Sequence, residues 1–145
     1  MSLTGTYDRS LDSKLRLALP RKFREELAGT EGTRVYITPE SNRSLGLFGE
    51  EVFHDRATRL GALSGGPGHV RNYMRLYYSQ AEQADIDSQG RIRIPERLAS
   101  FAGLQQEVML LGVHDHGEIW DRSTWEQFLA THSADFDNLA SEAFS

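Results

Sequence analysis

The chain carries an internal repeat, and this feature constrains its fold more than any other. The segment LDSKLRLALP at positions 11–20 returns as IDSQGRIRIP at 86–95, 75 residues further on. Aspartate, serine, arginine and proline coincide, and three other positions are aliphatic in both segments. The similarity continues from 34–38 to 107–111, and then from 47–48 to 119–120 and from Phe53 to Trp125. The offset shortens only slightly along the chain, from 75 to 72 residues. Because self-similarity at a nearly constant offset indicates a duplicated structural unit, the sequence predicts two equivalent halves.

Within each copy, the spacing of hydrophobic residues and the positions of proline and glycine predict a strand followed by a helix. Aliphatic and polar residues alternate after the arginine, which is typical of a half-buried strand. Pro20 and Pro95 then suit the first position of a helix, where a missing N–H costs nothing. Gly29 and Gly103 suit the end of that helix. Short helices are therefore predicted over 20–28 and 95–102.

The rest of each copy is predicted to contain two strands and a closing helix. Strands are expected over 35–38, 45–48, 108–112 and 117–120, and closing helices over 50–60 and 123–131. One additional helix is expected over 69–78, before the second copy. Ser123 is a candidate N-cap for the last helix, and Glu126 would complete a capping box. Between the copies, the breaker-rich residues 64–68 predict a loop or linker. We expect four segments: a first repeat over 5–50, connecting helices and a Gly-rich loop over 51–78, a second repeat over 79–122, and a C-terminal helix with an acidic tail over 123–145.

Bulk composition excludes several classes of protein. Hydrophobic residues make up 39% and charged residues 26% of the 145 residues, which are values typical of a globular protein. The absence of cysteine excludes disulfides, thiol nucleophiles and zinc–thiolate sites. The sequence has neither a run of about 18 apolar residues nor the pattern of a secretory leader. We therefore expect a cytoplasmic protein without a membrane span.

Charge is distributed unevenly along the chain. The net charge is −5, which argues against a protein that coats nucleic acid non-specifically, because such proteins usually carry a basic surplus. Residues 8–24 nevertheless contain six basic and two acidic residues, a local charge of +4. Part of the acidic surplus lies near the C-terminus, at Asp135, Asp137 and Glu142.

The motif most suited to chemistry is Asp-x-x-x-Arg, which lies between strands at Asp12 to Arg16 and again at Asp87 to Arg91. An aspartate that opens such a turn accepts hydrogen bonds from nearby backbone N–H groups and fixes the loop. The guanidinium fork matches two acceptors of a phosphate or of the guanine edge, and Lys14 adds a second cation. A single such pair is more often a surface ion pair worth less than about 1 kcal/mol. Its recurrence in both repeats favours an anion-binding role.

The paired motif resembles the MraZ family. The resemblance rests on DSKxR followed by LxLP from Asp12, and on DSQGR followed by IxIP from Asp87. It extends to VMLLG at 108–112, EIW at 118–120 and Trp125. The similarity covers nearly the whole chain and is weakest over 49–78 and in the last dozen residues.

The resemblance implies an α+β fold: a pseudo-two-fold tandem repeat of β-hairpin and short-helix units that interleave as a swapped-hairpin β-barrel of the AbrB/SpoVT type, with flanking helices. It also implies a ring-forming homo-oligomer, larger than a dimer, that binds repeated sites in double-stranded DNA. The expected role is a nucleoid-associated regulator, usually a repressor, of the bacterial division and cell-wall gene cluster. The residues expected to contact DNA are Lys14, Arg16 and Arg91, and those expected to support the turns are Asp12, Asp87 and Gly90. We expect no cofactor, no metal, no membrane partner, no small-molecule substrate and no enzymatic activity.

The first motif departs from the family pattern at one position. The family has glycine before the arginine, which Gly90 satisfies and Leu15 does not. If this position requires a positive φ, leucine there costs about 1–2 kcal/mol or forces a different turn. A ring-forming interaction module on the same fold that has lost DNA binding is therefore the alternative function.

Two other features have competing interpretations. His114 and His116 could share one face of a strand as metal ligands, but no second cluster completes a coordination shell, and the following glycine favours a polar hairpin turn. The segment 71–78 mixes arginines with aromatic residues, which suits a base-stacking surface. The helical spacing of Tyr73, Leu76 and Tyr77 favours core or subunit packing instead.

The two aspartates of the turns also have an enzymatic interpretation. Asp12 and Asp87 could in principle act as paired catalytic carboxylates. The sequence contains no nucleophile motif, no glycine-rich phosphate loop and no metalloprotease signature to accompany them. The residues therefore favour binding over catalysis.

Overall fold

The computed structural model describes residues 2–29, 32–63 and 68–145, which form a mixed α+β fold. The strands are β1 (Thr6–Ser10), β2 (Arg16–Ala18), β3 (Arg34–Glu40), β4 (Ser44–Phe48), β5 (Glu82–Asp85), β6 (Arg91–Arg93), β7 (Glu107–Gly112) and β8 (Gly117–Asp121). The helices are α1 (Arg21–Ala28), α2 (Glu50–Gly61), α3 (Gly68–Gln80), α4 (Glu96–Phe101), α5 (Arg122–His132) and α6 (Phe136–Ala143), with 3-10 turns at Ser41–Arg43 and Ser133–Asp135. The predicted α+β class is confirmed. The linker predicted at 64–68 lies, but for its last residue, outside the described residues.

Six strands form one antiparallel sheet whose order is the same from either end. The order is β1-β7-β8-β4-β3-β5, and exchanging each strand for its counterpart in the other repeat reverses the list. At the centre, Gly46 of β4 lies opposite its own counterpart, Glu118 of β8. The pseudo-two-fold axis therefore passes through the middle of the sheet.

The two halves interleave, as the resemblance implies. Strand β1 pairs with β7 of the second half, and β5 pairs with β3 of the first half. Within the part of the chain that the structure describes, strands β2 and β6 pair only with each other and form a separate two-stranded ribbon. Among the described residues, the pairing of the large sheet ends at β1 and β5, so the implied closed barrel is wrong. With strands of three residues, the ribbon covers one face of an open sheet instead of joining its edges.

The main core lies between the large sheet and the ribbon. Alternation along the strands directs one set of aliphatic side chains to this face, including Val35 and Ile37 of β3 and Leu110 of β7, all fully buried. Leu17 and Ile92 enter the same core from the ribbon, and Phe23 and Leu98 enter it from α1 and α4. Because burial of one such side chain contributes about 1.5–3 kcal/mol, this layer holds the ribbon in place.

The opposite face of the sheet is covered by the closing helices. Tyr36 of β3 stacks on Phe53 of α2 with ring centroids 4.0 Å apart. Trp120 of β8 packs edge-on against Trp125 of α5, at 5.2 Å. Helix α3 joins this layer through Tyr77, which is buried. The large sheet therefore separates the ribbon, with its arginine turns, from the helices α2, α3 and α5.

The helices and strands that were predicted agree with the structure to within two residues; strands β1 and β5 were not among them, and three further points need correction. Helices α1 and α4 begin one residue after Pro20 and Pro95, which occupy the N-cap position. The N-cap of α5 is Asp121 instead of Ser123: its carboxylate accepts hydrogen bonds from the Ser123 backbone N–H at 3.2 Å and hydroxyl at 2.9 Å. The acidic tail contains a further helix, α6, that the sequence analysis did not predict. Within the described residues, no helix has the length and apolar character needed to cross a bilayer.

Candidate nucleic-acid interface

The first arginine turn is built around the carboxylate of Asp12. Its Oδ1 accepts hydrogen bonds from the backbone N–H groups of Lys14 and Arg16, both at 2.9 Å. Its Oδ2 accepts a hydrogen bond from Arg16 Nε at 2.6 Å. The Asp12 carbonyl accepts a hydrogen bond from the backbone N–H of Leu15 at 3.0 Å. One aspartate thus fixes the backbone of the loop and orients the arginine that leaves it.

The second turn repeats this arrangement. Asp87 Oδ1 accepts hydrogen bonds from the backbone N–H groups of Gln89 and Arg91 at 2.8 and 2.9 Å. Its Oδ2 accepts one from Arg91 Nε at 3.0 Å, and its carbonyl accepts one from the Gly90 N–H at 3.0 Å. The structure therefore places Asp12 and Asp87 where the sequence predicted turn-supporting residues.

Both aspartates are held in the ionised form. The backbone N–H of Arg16, together with weaker contributions from its guanidinium and from Lys14, lowers the pKa of Asp12 from 3.8 to about 2. The backbone N–H of Arg91 likewise lowers the pKa of Asp87, assisted by Gln89. Each carboxylate therefore keeps its charge, and with it the turn geometry, at every pH near neutrality.

Leu15 adopts the left-handed backbone conformation that favours glycine at the position before the arginine. Its φ is 59°, and Gly90 at the equivalent position has a φ of 77°. Leucine therefore accepts the left-handed conformation at a cost of about 1–2 kcal/mol instead of forcing a different turn. The half-buried Leu15 side chain packs against the main core, which offsets part of that cost.

The two turns differ in the side chains that lie beside them. The guanidinium of Arg24 lies over Gly90, so close that a β-carbon there would be 2.9 Å from its Cζ. At the equivalent place beside the first turn, Leu15 and Ala99 line one shallow pocket. A large residue of α1 thus covers the glycine, whereas a small residue of α4 accompanies the leucine.

The ribbon brings the two turns and their arginines onto one surface. Arg16 of β2 lies opposite Arg93 of β6, and Ala18 lies opposite Arg91. These four residues share the outer face of the ribbon, because the intervening pair Leu17 and Ile92 is buried on the inner face. Of the predicted DNA contacts, Arg16 and Arg91 therefore lie together, and Lys14 stands exposed on the first turn.

Sequence analysis missed two basic residues of this surface. Arg93 is exposed on the outer face of β6, two residues after Arg91, and the strand period of two would have identified it. Arg9 of β1 reaches the end of β2, where its Nε donates a hydrogen bond to the Ala18 carbonyl at 3.2 Å. Its position depends on tertiary packing, so no local signal marks it.

The turns lie at opposite ends of the ribbon. The carbonyl of Leu15 accepts a hydrogen bond from the Ile94 N–H at 2.9 Å, and that of Gly90 accepts one from the Leu19 N–H at 3.0 Å. Four residues of extended chain therefore separate the turns, a span of about 13 Å. The major groove of B-form DNA is about 12 Å wide, so the ribbon and its turns match it in scale.

The candidate metal ligands His114 and His116 lie in a hairpin connection. The residues from Val113 to His116 form the connection between β7 and β8, as predicted for a polar hairpin turn. His116 stacks on Phe48 at 4.8 Å and lies between the carboxylates of Asp115 and Glu118, at 2.7 and 3.4 Å. Over the part of the chain that the structure describes, no group of three His, Cys, Asp or Glu side chains could hold a metal ion.

The apolar residues of helix α3 are divided between the protein core and the exposed surface. Tyr77 is buried, and its hydroxyl donates a hydrogen bond to Glu40 at 2.9 Å. Tyr73 and Leu76 remain exposed, with 65% of Leu76 accessible to solvent. One part of the predicted apolar face therefore packs on the sheet, and the other part is available to a partner.

Comparison with known proteins gives one consistent result. A family model described as "MraZ protein, putative antitoxin-like" matches residues 77–145. The chain is 38% identical over 141 residues to the transcriptional regulator MraZ of Corynebacterium urealyticum, covering 97% of this chain and 96% of the relative. It is 36% identical over 134 residues to that of Finegoldia magna (92% and 91%), and 32% identical over 136 residues to that of Acetivibrio thermocellus (94% and 92%).

Proposed function

The chain belongs to the MraZ family of transcriptional regulators, and we propose that it binds repeated sites in double-stranded DNA through its two arginine turns. Family membership confirms the resemblance of the paired motif and the expectation that the chain is not an enzyme. The observation that carries the proposal is the pair of matching turns at the two ends of one ribbon. A sheet of six strands supports that ribbon from behind.

In each turn the aspartate orients the arginine, whose remaining donors can bind DNA. Arg16 uses Nε to reach Asp12, which leaves the N–H donors of its two Nη groups for a phosphate or a guanine edge. Arg91 is held in the same way by Asp87. Lys14 supplies a point charge suited to phosphate at the tip of the first turn. Gly90 allows the left-handed backbone of the second turn.

The acidic net charge and the small number of contacts limit how tightly one copy of the chain can bind DNA. The net charge is −5, so long-range attraction to DNA is weak. Contacts confined to one ribbon are few, and non-specific binding by so few contacts has a Kd of about 10⁻⁴ M at physiological salt. Useful affinity therefore requires several copies of the chain on one DNA molecule.

We propose that the copies assemble head to tail as a homo-oligomer larger than a dimer. Helix α3 contains Arg71 and Arg75 but no acidic residue, whereas α6 contains Asp137 and Glu142 but no basic residue. Both helices expose apolar side chains: Tyr73 and Leu76 on α3, and Phe136 and Leu139 on α6. Contact between α3 of one copy and α6 of the next joins two different surfaces, and repeated contacts of this kind form a ring when the rotation between successive copies closes.

Assembly would convert weak turns into a specific reader of repeats. Each further turn that engages the same DNA binds intramolecularly, and avidity can raise affinity by about 10²–10⁴. We propose that the targets are repeated promoter sites of the division and cell-wall gene cluster, where the protein acts as a repressor within the nucleoid. Light scattering should give a mass several times the 16.4 kDa of one chain, and a DNA with one repeat should bind far more weakly than a DNA with several.

Substitution of the arginines tests DNA contact directly. Arg16→Ala and Arg91→Ala should weaken binding to the chain's own upstream DNA in a gel-shift assay, and each should reduce the salt dependence by about one unit of slope. Arg59→Ala on α2, behind the sheet, is the charge-matched control. Folded variants with unchanged affinity would refute the assignment of the turns. A wild-type oligomer that fails to bind this DNA at any salt concentration would favour the alternative, an interaction module without DNA binding.

A further inference from the structure

The two ends of the ribbon are not equivalent in charge. The residue two positions after the arginine is Ala18 in the first repeat and Arg93 in the second. Because β2 and β6 are antiparallel, Arg93 lies directly opposite Arg16, whereas Ala18 lies opposite Arg91. The outer face of the ribbon thus carries two neighbouring arginines near the first turn and one near the second.

Arg93 differs from the turn arginines in lacking a counter-charge. Arg16 and Arg91 are each paired with an aspartate, at 2.6 and 3.0 Å. Among the described residues, no acidic side chain forms an ion pair with Arg93, and the residue is exposed. Like charges directly opposite each other across two strands destabilise the pair. The free protein therefore holds an uncompensated positive charge beside Arg16.

The first repeat has an additional arginine of its own, at a position that does not correspond to Arg93. Arg9 lies on β1, and its guanidinium is held by the carbonyls of Ala18 and Asp8, at 3.2 and 2.9 Å, and by the ring of Tyr7. Its counterpart in the second repeat is Ala84. Each repeat therefore has one additional arginine next to the ribbon, but that of the first is fixed to the protein and that of the second is free.

We propose that Arg93 binds a DNA phosphate between the two turns and so forms a third arginine contact beside Arg16 and Arg91. The inference rests on the proposed function and adds a residue to it. A phosphate is the fitting ligand, because the guanidinium groups of Arg93 and Arg16 are neighbours and can both donate hydrogen bonds to one phosphate group. Contact with the backbone instead of a base means that Arg93 contributes equally on specific and unrelated sequences.

Salt titrations of binding test this contact. Fluorescence anisotropy with labelled upstream DNA, from 50 to 200 mM salt, should give Arg93→Ala a slope lower by about 0.9 for each engaged chain. This corresponds to a loss of about 5-fold in affinity per engaged chain near 0.15 M salt, on upstream and scrambled DNA alike. Arg93→Lys should keep the wild-type slope, since a point charge is sufficient for phosphate. Arg59→Ala, with the same change of charge, should also keep the wild-type slope.

The controls separate this inference from the proposed function. Each variant is first compared with wild type for its melting temperature and its mass by light scattering, and Arg93→Gln, which retains most of the stem, replaces Arg93→Ala if the latter is unstable. A wild-type slope in the neutral variant, while Arg16→Ala still weakens binding, would overturn the role of Arg93 and leave the proposed function standing. Arg93→Lys behaving like Arg93→Ala would overturn the phosphate contact. Absence of wild-type binding would overturn both.

Discussion

The contact between Gly90 and Arg24 gives a quantitative prediction for Gly90→Ala. The φ of 77° costs a residue with a β-carbon about 1–2 kcal/mol, and the reduced freedom of the unfolded chain returns about 0.4–1 kcal/mol. The new methyl would lie 2.9 Å from the Cζ and Nη1 atoms of Arg24. Displacement of this flexible guanidinium adds about 0.5–1 kcal/mol. The total loss in free energy of unfolding should be about 1.5 kcal/mol, within a range of about 0.5–2.6 kcal/mol.

A double-mutant cycle separates these two contributions. Arg24→Ala alone should cost little, because Arg24 Nε is buried without a hydrogen-bond partner among the described residues. In that background, Gly90→Ala should cost only about 1 kcal/mol, which gives a coupling of about 0.5–1 kcal/mol. The measurement is urea denaturation at one fixed protein concentration, because assembly affects apparent stability.

Leu15→Ala is the matched control for this cycle. Leu15 already has a positive φ, so alanine adds no backbone strain there, and the variant loses only part of a half-buried side chain. Its effect should add to that of Arg24→Ala, because the two residues lie beside opposite turns. Equal cost of Gly90→Ala in both backgrounds would refute the contact with Arg24. A neutral effect of Gly90→Ala in wild type would refute the left-handed turn.

Three further predictions concern titration and the halves of the chain. Carbon-detected NMR should find the Asp12 carboxyl titrating at about pH 2 and the Asp87 carboxyl titrating below pH 3.8. The contribution of the two carboxylates to stability is present above pH 3.8 and is lost as the pH falls through their folded-state pKa values. Titration of either group at the ordinary value of 3.8 would contradict the turn geometry. Burial lowers the pKa of His116, but its carboxylate partners outweigh burial and raise the pKa above 6.5. The contribution of protonated His116 to stability is present below pH 6.5 and is lost as the pH rises through the raised pKa. Glu118→Gln should lower the midpoint of the His116 titration measured by NMR. Residues 1–62 alone should be unfolded or should form a dimer in gel filtration, because β1 loses its partner β7 and β3 loses its partner β5. A folded monomer of this fragment would contradict interleaving.

The parts of the fold that local sequence determines were predictable. The Asp-x-x-x-Arg turns follow from the chemistry of Asp12 and Asp87 with their own backbone neighbours, and both turns formed as predicted. The buried strands β3, β4, β7 and β8 carry short apolar runs (VYI, LGLF, VMLL and IW) that indicate their positions. The repeat itself indicated that the same elements would appear twice.

Elements that depend on tertiary partners were not located. The strands β1 and β5 are half-exposed and short, and they owe their extended form to pairing with β7 and β3. Ser123 was predicted as the cap of α5 because Glu126 follows three residues later, but the structure places the cap two residues earlier, at Asp121, which is buried and accepts a hydrogen bond from the Ser123 N–H. Arg24 could not be assigned to the second turn, since it belongs to α1 of the first repeat and reaches Gly90 only through interleaving.

The palindromic order of the sheet has a consequence for how this molecule can change. In a symmetric dimer of half-length chains, every substitution occurs twice, so the two ends of the ribbon would remain identical. Here the two halves belong to one chain, and each position around the central pair Gly46 and Glu118 varies independently of its counterpart. Arg93 facing Arg16 without a matching arginine at Ala18 is such an independent change. A covalently joined pair of halves can thus present a polar binding surface, with a distinguishable left and right, on a symmetric framework.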